Sequence, residues 1–467
     1  MNDYQEFLRS KTGQETWQGF EADELPSPLF DFQRHLTDWA LRKGRAEIAA
    51  DCGLGKTPME LAWSDAIHRK TNERVLILTP LSVTGQFVRE GEKFGIECHR
   101  TKEGKLHPGI NVTNYEQLHY YDPRDFVAEA GDESGCIKDF KTRRRKDVTE
   151  FFRHVRYRLL ATATPAPNDF IELGTSSEAL GELGHMDMLA RFFKNEDKTI
   201  FLHGTKYGDM TQKNWRFKPH AEEPFWRWVC SWLRACRKPS DLGFDDAGFI
   251  LPELDIAQHE VAPRRTASGF LFDVGAATLA EQREVERRTV PERCERAAEL
   301  AIAHNGASVV WCHLNAEADL IERIIPGAVQ VSGSDSDDAK EEKFAAFTSG
   351  QIQKLATKPK VAAWGLNWQH CHHQTFFPSN SFEQWYQCVR RSWRFGQINP
   401  VRVDIVSSDG SADVLANMRR KAAAAERMFA RLVEFMHRFQ SIGRSRYGEQ
   451  EPAIPLWLAD ASQMEVA

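Results

Sequence analysis

The chain has 467 residues, 41% of them apolar and 27% charged, with a formal net charge of −6. That length exceeds what one hydrophobic core usually organises, so two or three domains are expected, and the mild acidity excludes a protein that holds nucleic acid by global charge alone. No apolar run approaches the ~20 residues that cross a bilayer, the opening MNDYQEFLRS lacks the apolar centre of a secretion signal, and nine cysteines without a CxxC fit reduced thiols, so a cytoplasmic protein with no membrane partner is expected.

From about residue 29 to 175, short β-rich runs (RVLILTP, INVTNY, YRLLATATP) alternate with helical stretches such as PMELAWSDAIHRK. This is the texture of a parallel sheet with crossover helices. Within it ADCGLGKT, residues 50–57, has the form of a phosphate loop in which Ala50 stands where the first glycine usually does. Through Gly53, Leu54 and Gly55 the backbone N–H groups would close around phosphate oxygens. Lys56 would bring a point charge to the β and γ phosphates, and Thr57 a hydroxyl to Mg²⁺. AEIAA before the loop reads as a strand and PMELAWSDAIHR after it as a helix, with Pro58 tolerated in the first turn.

Hydrolysis at such a loop also needs a carboxylate for the metal and a group to activate water. Asp132 and Glu133, in GDESGCIK, stand where a strand should end. Asp132 would hold Mg²⁺ through its water shell, and Glu133 would orient or deprotonate the attacking water. The preceding FVAEAG is less apolar than a buried parallel strand, which predicts a short or frayed strand there. Next comes the densest basic patch, Lys138, Lys141, Arg143, Arg144, Arg145 and Lys146. It reads either as a loop that binds phosphates by counterion release or as a solvated one.

The following stretch is rich in Trp, Phe and charge (EEPFWRWVCSWLRACRK) and reads as a mainly helical insertion and linker. Trp228 and Trp232, four apart, suit a helix that buries them in its own core rather than stacking them on bases. Sheet-and-helix texture then returns in SVVWCHL, AVQVSG, QKLATKP and PVRVDIVSS. HCHH at residues 370–373 cannot converge on one tetrahedral ion and is assigned to packing near Asn367. In QCVRRSWRFGQ, residues 387–397, Arg391 and Arg394 lie three apart, on one side of a predicted helix, and can aim at one anion. AAAAERMFARLVEFMHRF predicts a last helix, followed by a loose tail. The class is therefore α/β: a first unit over residues 1–185, an insertion over 186–290, a second unit over 291–412, and a C-terminal helix and tail over 413–467.

Taken together, DFQRH, DCGLGKT, LTPLSVTGQF, NYEQL, DESGCIK, ATATP, GLNWQH and QCVRRSWRFGQ occur in an order that resembles the successive motifs of superfamily-two helicases of the Swi/Snf-like branch. Their wording is similar to compact forms from bacteriophages and prophages, which implies a host cytoplasm. The resemblance implies two RecA-like parallel-sheet domains that bind ATP and Mg²⁺ between them and act on duplex DNA without reading sequence, brought there by an unidentified recruiting protein. It assigns Gln33 to the adenine edge with Phe30 or Phe32 as a packing surface, and Gly53, Gly55, Lys56 and Thr57 to the phosphates. Asp132 and Glu133 match its Asp-Glu pair, although Ser134 and Gly135 replace the more usual Ala-His. Thr162, Ala163 and Thr164 match the motif that couples nucleotide state to the partner domain, and Gly365, Leu366 and Asn367 the motif between nucleotide and nucleic acid. Arg391 and Arg394 would hold the γ-phosphate across the cleft. Thr79, Thr113 and Asn114, at predicted strand ends, would meet nucleic-acid phosphates. Two other readings stay open: a strand-separating DNA or RNA helicase, and a nucleotide-regulated binding scaffold with a vestigial ATPase.

Overall fold

The computed structural model describes residues 17–26, 28–138, 142–166, 169–196, 198–200, 210–212, 215–262, 286–362, 366–379, 381–408 and 412–443. Its first sheet has seven strands, numbered in chain order: β1 (Arg45–Ala50), β2 (Val75–Thr79), β3 (Cys98–Arg100), β4 (Ile110–Asn114), β5 (Ala128–Asp132), β6 (Tyr157–Thr162) and β11 (Leu233–Cys236). They lie in the order β11-β1-β6-β5-β2-β4-β3 with every pairing parallel. A parallel sheet is covered on both faces, and β2 shows how the sequence provides for that. Val75 and Ile77 enter one core while Leu76 and Leu78 enter the other. Helices α1 (Asp31–Lys43), α2 (Lys56–Thr71) and α3 (Thr84–Phe94) supply the first core. Helices α4 (Arg143–His154), α5 (Leu173–Leu180), α6 (His185–Phe192) and α7 (Glu222–Trp232) supply the second.

Strand β5 is neither short nor frayed, since all five of its residues are buried. The acid in its interior, Glu129, pairs in register with Arg158 on β6, and burial raises the Glu129 carboxyl well above the usual carboxylate range. A neutral carboxyl is compatible with a strand interior where a charged one is not.

Two short antiparallel pairs follow, β7 (Phe193–Asn195) with β10 (Trp215–Phe217) and β8 (Lys198–Ile200) with β9 (Met210–Gln212). The stretch expected to be a mainly helical insertion therefore also contains strands, and β11 closes an edge of the first sheet beside β1. The sequence LRAC gives no alternation and runs on directly from a helix, so only its pairing with Glu47–Ala50 makes it a strand. Trp226 and Trp228 are buried against Phe192, Phe225 and Phe435, and Trp232 against Trp228, as their helical spacing predicts.

The second sheet, order β12-β17-β16-β13-β15-β14, is also wholly parallel: β12 (Leu254–Val261), β13 (Ser308–Trp311), β14 (Ala328–Val331), β15 (Lys354–Thr357), β16 (His373–Phe376) and β17 (Val401–Ser408). Strand β12, expected to be linker, pairs along its whole length with β17. Helices α8 (Val290–Ala303) and α9 (Asn315–Ile324) cover one face; α10 (Asp337–Thr348), α11 (Pro359–Ala362) and α12 (Phe382–Val389) lie with the other. Helix α13 (Ala412–Gly443) belongs to both units: Leu415 and Met418 enter the second core, and Met428, Phe429, Leu432 and Met436 enter the first. At 1.5 Å per residue it spans roughly 48 Å.

In HCHH the four side chains part company. His370 packs on Phe347, Cys371 donates to the His373 carbonyl, His372 meets His304, and His373 bridges Ser308 and Asp404.

Candidate nucleotide site

The candidate site lies where the carboxyl ends of the first sheet's strands face the second unit. After β1 the chain turns through Asp51–Gly55 into α2. Gly53 (φ 91°) and Gly55 (φ 78°) both take the left-handed region, and a Cβ on Gly55 would sit 2.2 Å from Gln33 Nε2. Only glycine fits there without strain and collision. Gly55 is also the N-cap residue of α2, so the first N–H groups of that helix open toward the loop. Gln33 donates from Nε2 to the Leu54 carbonyl at 2.9 Å and accepts from the Phe30 N–H at 3.0 Å. It is thereby seated against the glycine turn at Leu54. Around it, Phe30 and Phe32 join Phe249 and Phe395, with the last pair stacked at 4.6 Å. Phe395 comes from the arginine segment and Phe249 from the chain before β12; neither was singled out in the sequence.

The charges meet below the loop. The Lys56 ammonium donates to the Ala50 carbonyl at 3.2 Å. Burial alone would lower its pKa, but Glu133, Cys52, Asp132 and Asp51 outweigh burial and raise it. Asp132 ends β5; burial, then the neighbouring Glu133 charge, push its carboxyl up to about 7 against the pull of Lys56 and Arg391. Glu133 is buried, takes φ 54°, and leaves Oε2 without a hydrogen-bond partner among the described residues. Next in sequence, Ser134 donates to Glu47 Oε1 at 3.0 Å, tying the strained residue to the middle of β1. Glu60, one turn along α2 from Lys56, is a further buried carboxyl that the sequence reading missed. Thr57 stands half-buried in the first turn of α2, and Thr162 accepts from the Thr164 N–H at 3.1 Å beside the end of β6. A glycine cradle, a charged lysine, and buried carboxyls with an open oxygen are the donor and acceptor set that a nucleotide triphosphate and a divalent cation require.

The opposite wall is the arginine segment. Helix α12 ends at Val389, so Arg391 and Arg394 lie in the turns beyond it rather than on the expected helix face. Tertiary contacts hold them instead. Arg391 is buried and donates to the Gln387 carbonyl (2.9 Å), Gln387 Oε1 (2.9 Å) and the Leu366 carbonyl (2.8 Å). Arg394 donates to the same Leu366 carbonyl at 3.1 Å, while its Nε is buried and unpartnered among the described residues. Burial and the adjacent Arg391 charge lower the Arg394 pKa to about 10. The two walls touch at Gly53, where a Cβ would lie 2.8 Å from the Phe395 nitrogen and 3.2 Å from Arg394 Cβ. Arg390 was also missed: its Nη2 lies 2.6 Å from Asp51 Oδ2 and donates to the Cys52 carbonyl at 2.8 Å. Gly365 lies outside the described residues, and Asn367 is exposed.

Beside this site a cleft of about 1420 Å³ runs between the units, its lining of mixed charge: Arg89, Lys138, Arg144, Lys340 and Lys360 stand with Glu116, Glu133, Asp337, Asp338, Glu341, Glu342 and Glu383. Of the basic run, Lys141 lies outside the described residues, and Arg143–Lys146 are helical rather than loop. Thr142 caps α4 by accepting from the Arg145 N–H, so Arg143–Arg145 form its first turn. Arg145 is buried against Glu178 at 2.6 Å, Arg144 reaches Glu116 at 2.6 Å, and Arg143 is exposed, 3.5 Å from Asp147. Lys138 pairs with Glu383 of α12, across the cleft. Thr79, Thr113 and Asn114 are buried at strand ends, with Thr79 donating to the Pro80 carbonyl, Thr113 to the Thr101 carbonyl, and Asn114 capping the turn at Gln117.

No protein-family model and no curated protein matches the chain. Among solved structures it is similar to the Sulfolobus solfataricus SWI2/SNF2 ATPase core in complex with dsDNA, at 17% identity and a TM-score of 0.40, over 83% of this chain and 90% of that one.

Proposed function

We propose that the chain is an ATP-dependent motor on duplex DNA, of the Swi/Snf-like kind its motifs resemble, driven by closure of two parallel-sheet units around ATP. The observation that carries the reading is the meeting of Arg394 and Phe395 with Gly53, which brings the arginine segment onto the phosphate loop. In this reading the loop amides and Lys56 bind the phosphates, and Gln33 with the Phe30 cluster holds the base. Mg²⁺, held by Thr57 and Asp132 through water, would neutralise part of the phosphate charge. Glu133, with Oε2 free, takes the proton of the attacking water. Arg394 and Arg391 stabilise the charge that develops on the transferred phosphoryl group.

Because the arginines come from the second unit, turnover depends on how the units sit, and each cycle can move a duplex held in the cleft. In this reading Lys138 and Arg144, which line the cleft, exchange their Glu383 and Glu116 partners for the duplex backbone, and the exposed Arg143 adds a further cation; such contacts carry no sequence information. The test is ATPase activity titrated in parallel with blunt duplex DNA, single-stranded DNA and RNA. Duplex should stimulate most, with little strand release from a fork. Equal stimulation by single strands with efficient unwinding would replace the motor by a helicase, and turnover indifferent to Lys56→Ala would remove the ATPase altogether.

A further inference from the structure

Asp51 and Arg390 form a buried ion pair between the two units. Both Asp51 oxygens are engaged: Oδ2 faces Arg390 Nη2 at 2.6 Å, and Oδ1 accepts from the Cys52 N–H at 2.6 Å and from the Tyr386 hydroxyl. The Arg390 guanidinium is centred 5.0 Å from the Trp393 ring and 5.8 Å from the Tyr386 ring, so its plane is held as well as its charge. On one side Asp51 follows β1 directly and donates its N–H to the Cys236 carbonyl of β11, which fixes it to the sheet. On the other, Gln387 Oε1 accepts both from Cys52 Sγ (3.5 Å) and from Arg391 Nη2 (2.9 Å). A continuous chain of polar contacts thus runs from the root of the phosphate loop through Arg390 and Gln387 to Arg391. All of it is sheltered from water, where a charge-assisted pair is strong and directional.

We propose that Arg390 is a positioning residue, whose pairing with Asp51 seats the arginine-bearing turn so that Arg391 and Arg394 reach the nucleotide on the phosphate loop. The proposal rests on the nucleotide reading above for its kinetic consequence, but not for its structural one. Arg390 touches the backbone before the loop rather than the nucleotide. Its loss should therefore act on turnover through misplacement, which costs about 10²-fold for a shift of about 1 Å at a reacting centre. Neither neighbour duplicates the contact: Arg391 spends its amino groups on Leu366 and Gln387, and Arg394 turns its Nη1 to Leu366, whereas Arg390 alone of the three bonds Asp51 among the described residues.

The experiment compares parent, Arg390→Ala, Arg390→Lys, Asp51→Arg and the exchanged pair Asp51→Arg/Arg390→Asp. For each, duplex-stimulated kcat and KM for ATP are measured, together with small-angle scattering without nucleotide; circular dichroism checks folding. The expected result is a kcat reduced by about 10²-fold in Arg390→Ala and Asp51→Arg with KM within a few-fold, substantial recovery in the exchanged pair, and a larger radius of gyration in both single variants. Parental kcat and parental dimensions in folded single variants would overturn the proposal, as would an exchanged pair no better than Asp51→Arg. If Arg390→Ala does not fold, Arg390→Lys and the exchanged pair decide by the same criteria. A parent without Lys56-dependent turnover would sink the nucleotide reading while the scattering comparison still decides whether the pair holds the units together.

Discussion

The phosphate-loop wall of the cleft is shaped by residues next to one another in the chain, whereas the arginine wall is shaped by residues brought from far away. Gly53, Gly55, Lys56 and Thr57 owe their places to one strand, one turn and one helix. Arg390, Arg391 and Arg394 sit past the end of α12 and are held by Asp51, Cys52, Leu366 and Gln387. The first wall is preformed chemistry. The second is complete only when the units are together, so that on the proposed reading an arginine would report on domain closure.

Removal of the local wall's charge should have the largest effect. Lys56→Ala is expected to abolish productive ATP binding, checked by nucleotide titration, while the glycine turn keeps its shape. Glu133→Gln should keep ATP binding and lose about 10²- to 10⁴-fold in single-turnover hydrolysis, because the amide preserves shape and removes the base. Unchanged hydrolysis would place the base elsewhere.

The arginine wall should divide. Arg391 makes three internal hydrogen bonds from a buried position, so Arg391→Ala should lower thermal stability by roughly 1–3 kcal/mol as well as turnover. Arg394 makes one, and its alanine variant should melt close to the parent.

A pH comparison probes the support beneath Glu133. Burial raises the Glu47 carboxyl from 4.5 to about 7, against the Ser134 and Ser176 hydroxyls that favour its charge. The folded state then holds a proton that the unfolded chain releases, so the carboxyl favours folding below pH 4.5 relative to higher pH, and stability is lost as pH rises from about 4.5 to 7. Glu47→Gln should therefore gain stability over the parent at pH 8 relative to pH 4, by up to roughly 3 kcal/mol. Parallel melting temperatures of the two proteins at both pH values would contradict this. The smallest effect is expected at the rim: Arg143→Ala should leave folding intact and reduce the slope of log K against log salt for duplex binding by up to ~0.9, the value for one phosphate contact.

Legibility in the sequence follows the same division. ADCGLGKT and the Asp132–Glu133 pair could be found because their chemistry is contiguous, and the two parallel sheets because their strands alternate with helices. Strand β11 could not, since LRAC is a strand only beside Glu47–Ala50, nor could β12 at the far edge of the second sheet. Of three arginines within five residues, spacing favoured Arg391 and Arg394 and passed over Arg390, whose partner Asp51 lies 339 positions away in the chain. Helix α13 was visible as a helix, but its anchoring in both cores was not, because an amphipathic pattern says that a face is buried and not against what. The basic run shows the reverse error: as sequence it is one patch, yet folding hides Arg145 against Glu178 and leaves Arg143 outside.

The central claim, that an arginine of the second unit completes the nucleotide site of the first, is tested most directly at Arg394. Duplex-stimulated turnover and ATP affinity would be measured together for the parent, Arg394→Ala and Arg394→Lys. Turnover of the alanine variant is predicted to fall by about 10³-fold or more with ATP affinity within a few-fold, and lysine should rescue poorly because it lacks the planar fork. Near-parental turnover in both folded variants would contradict the two-wall account.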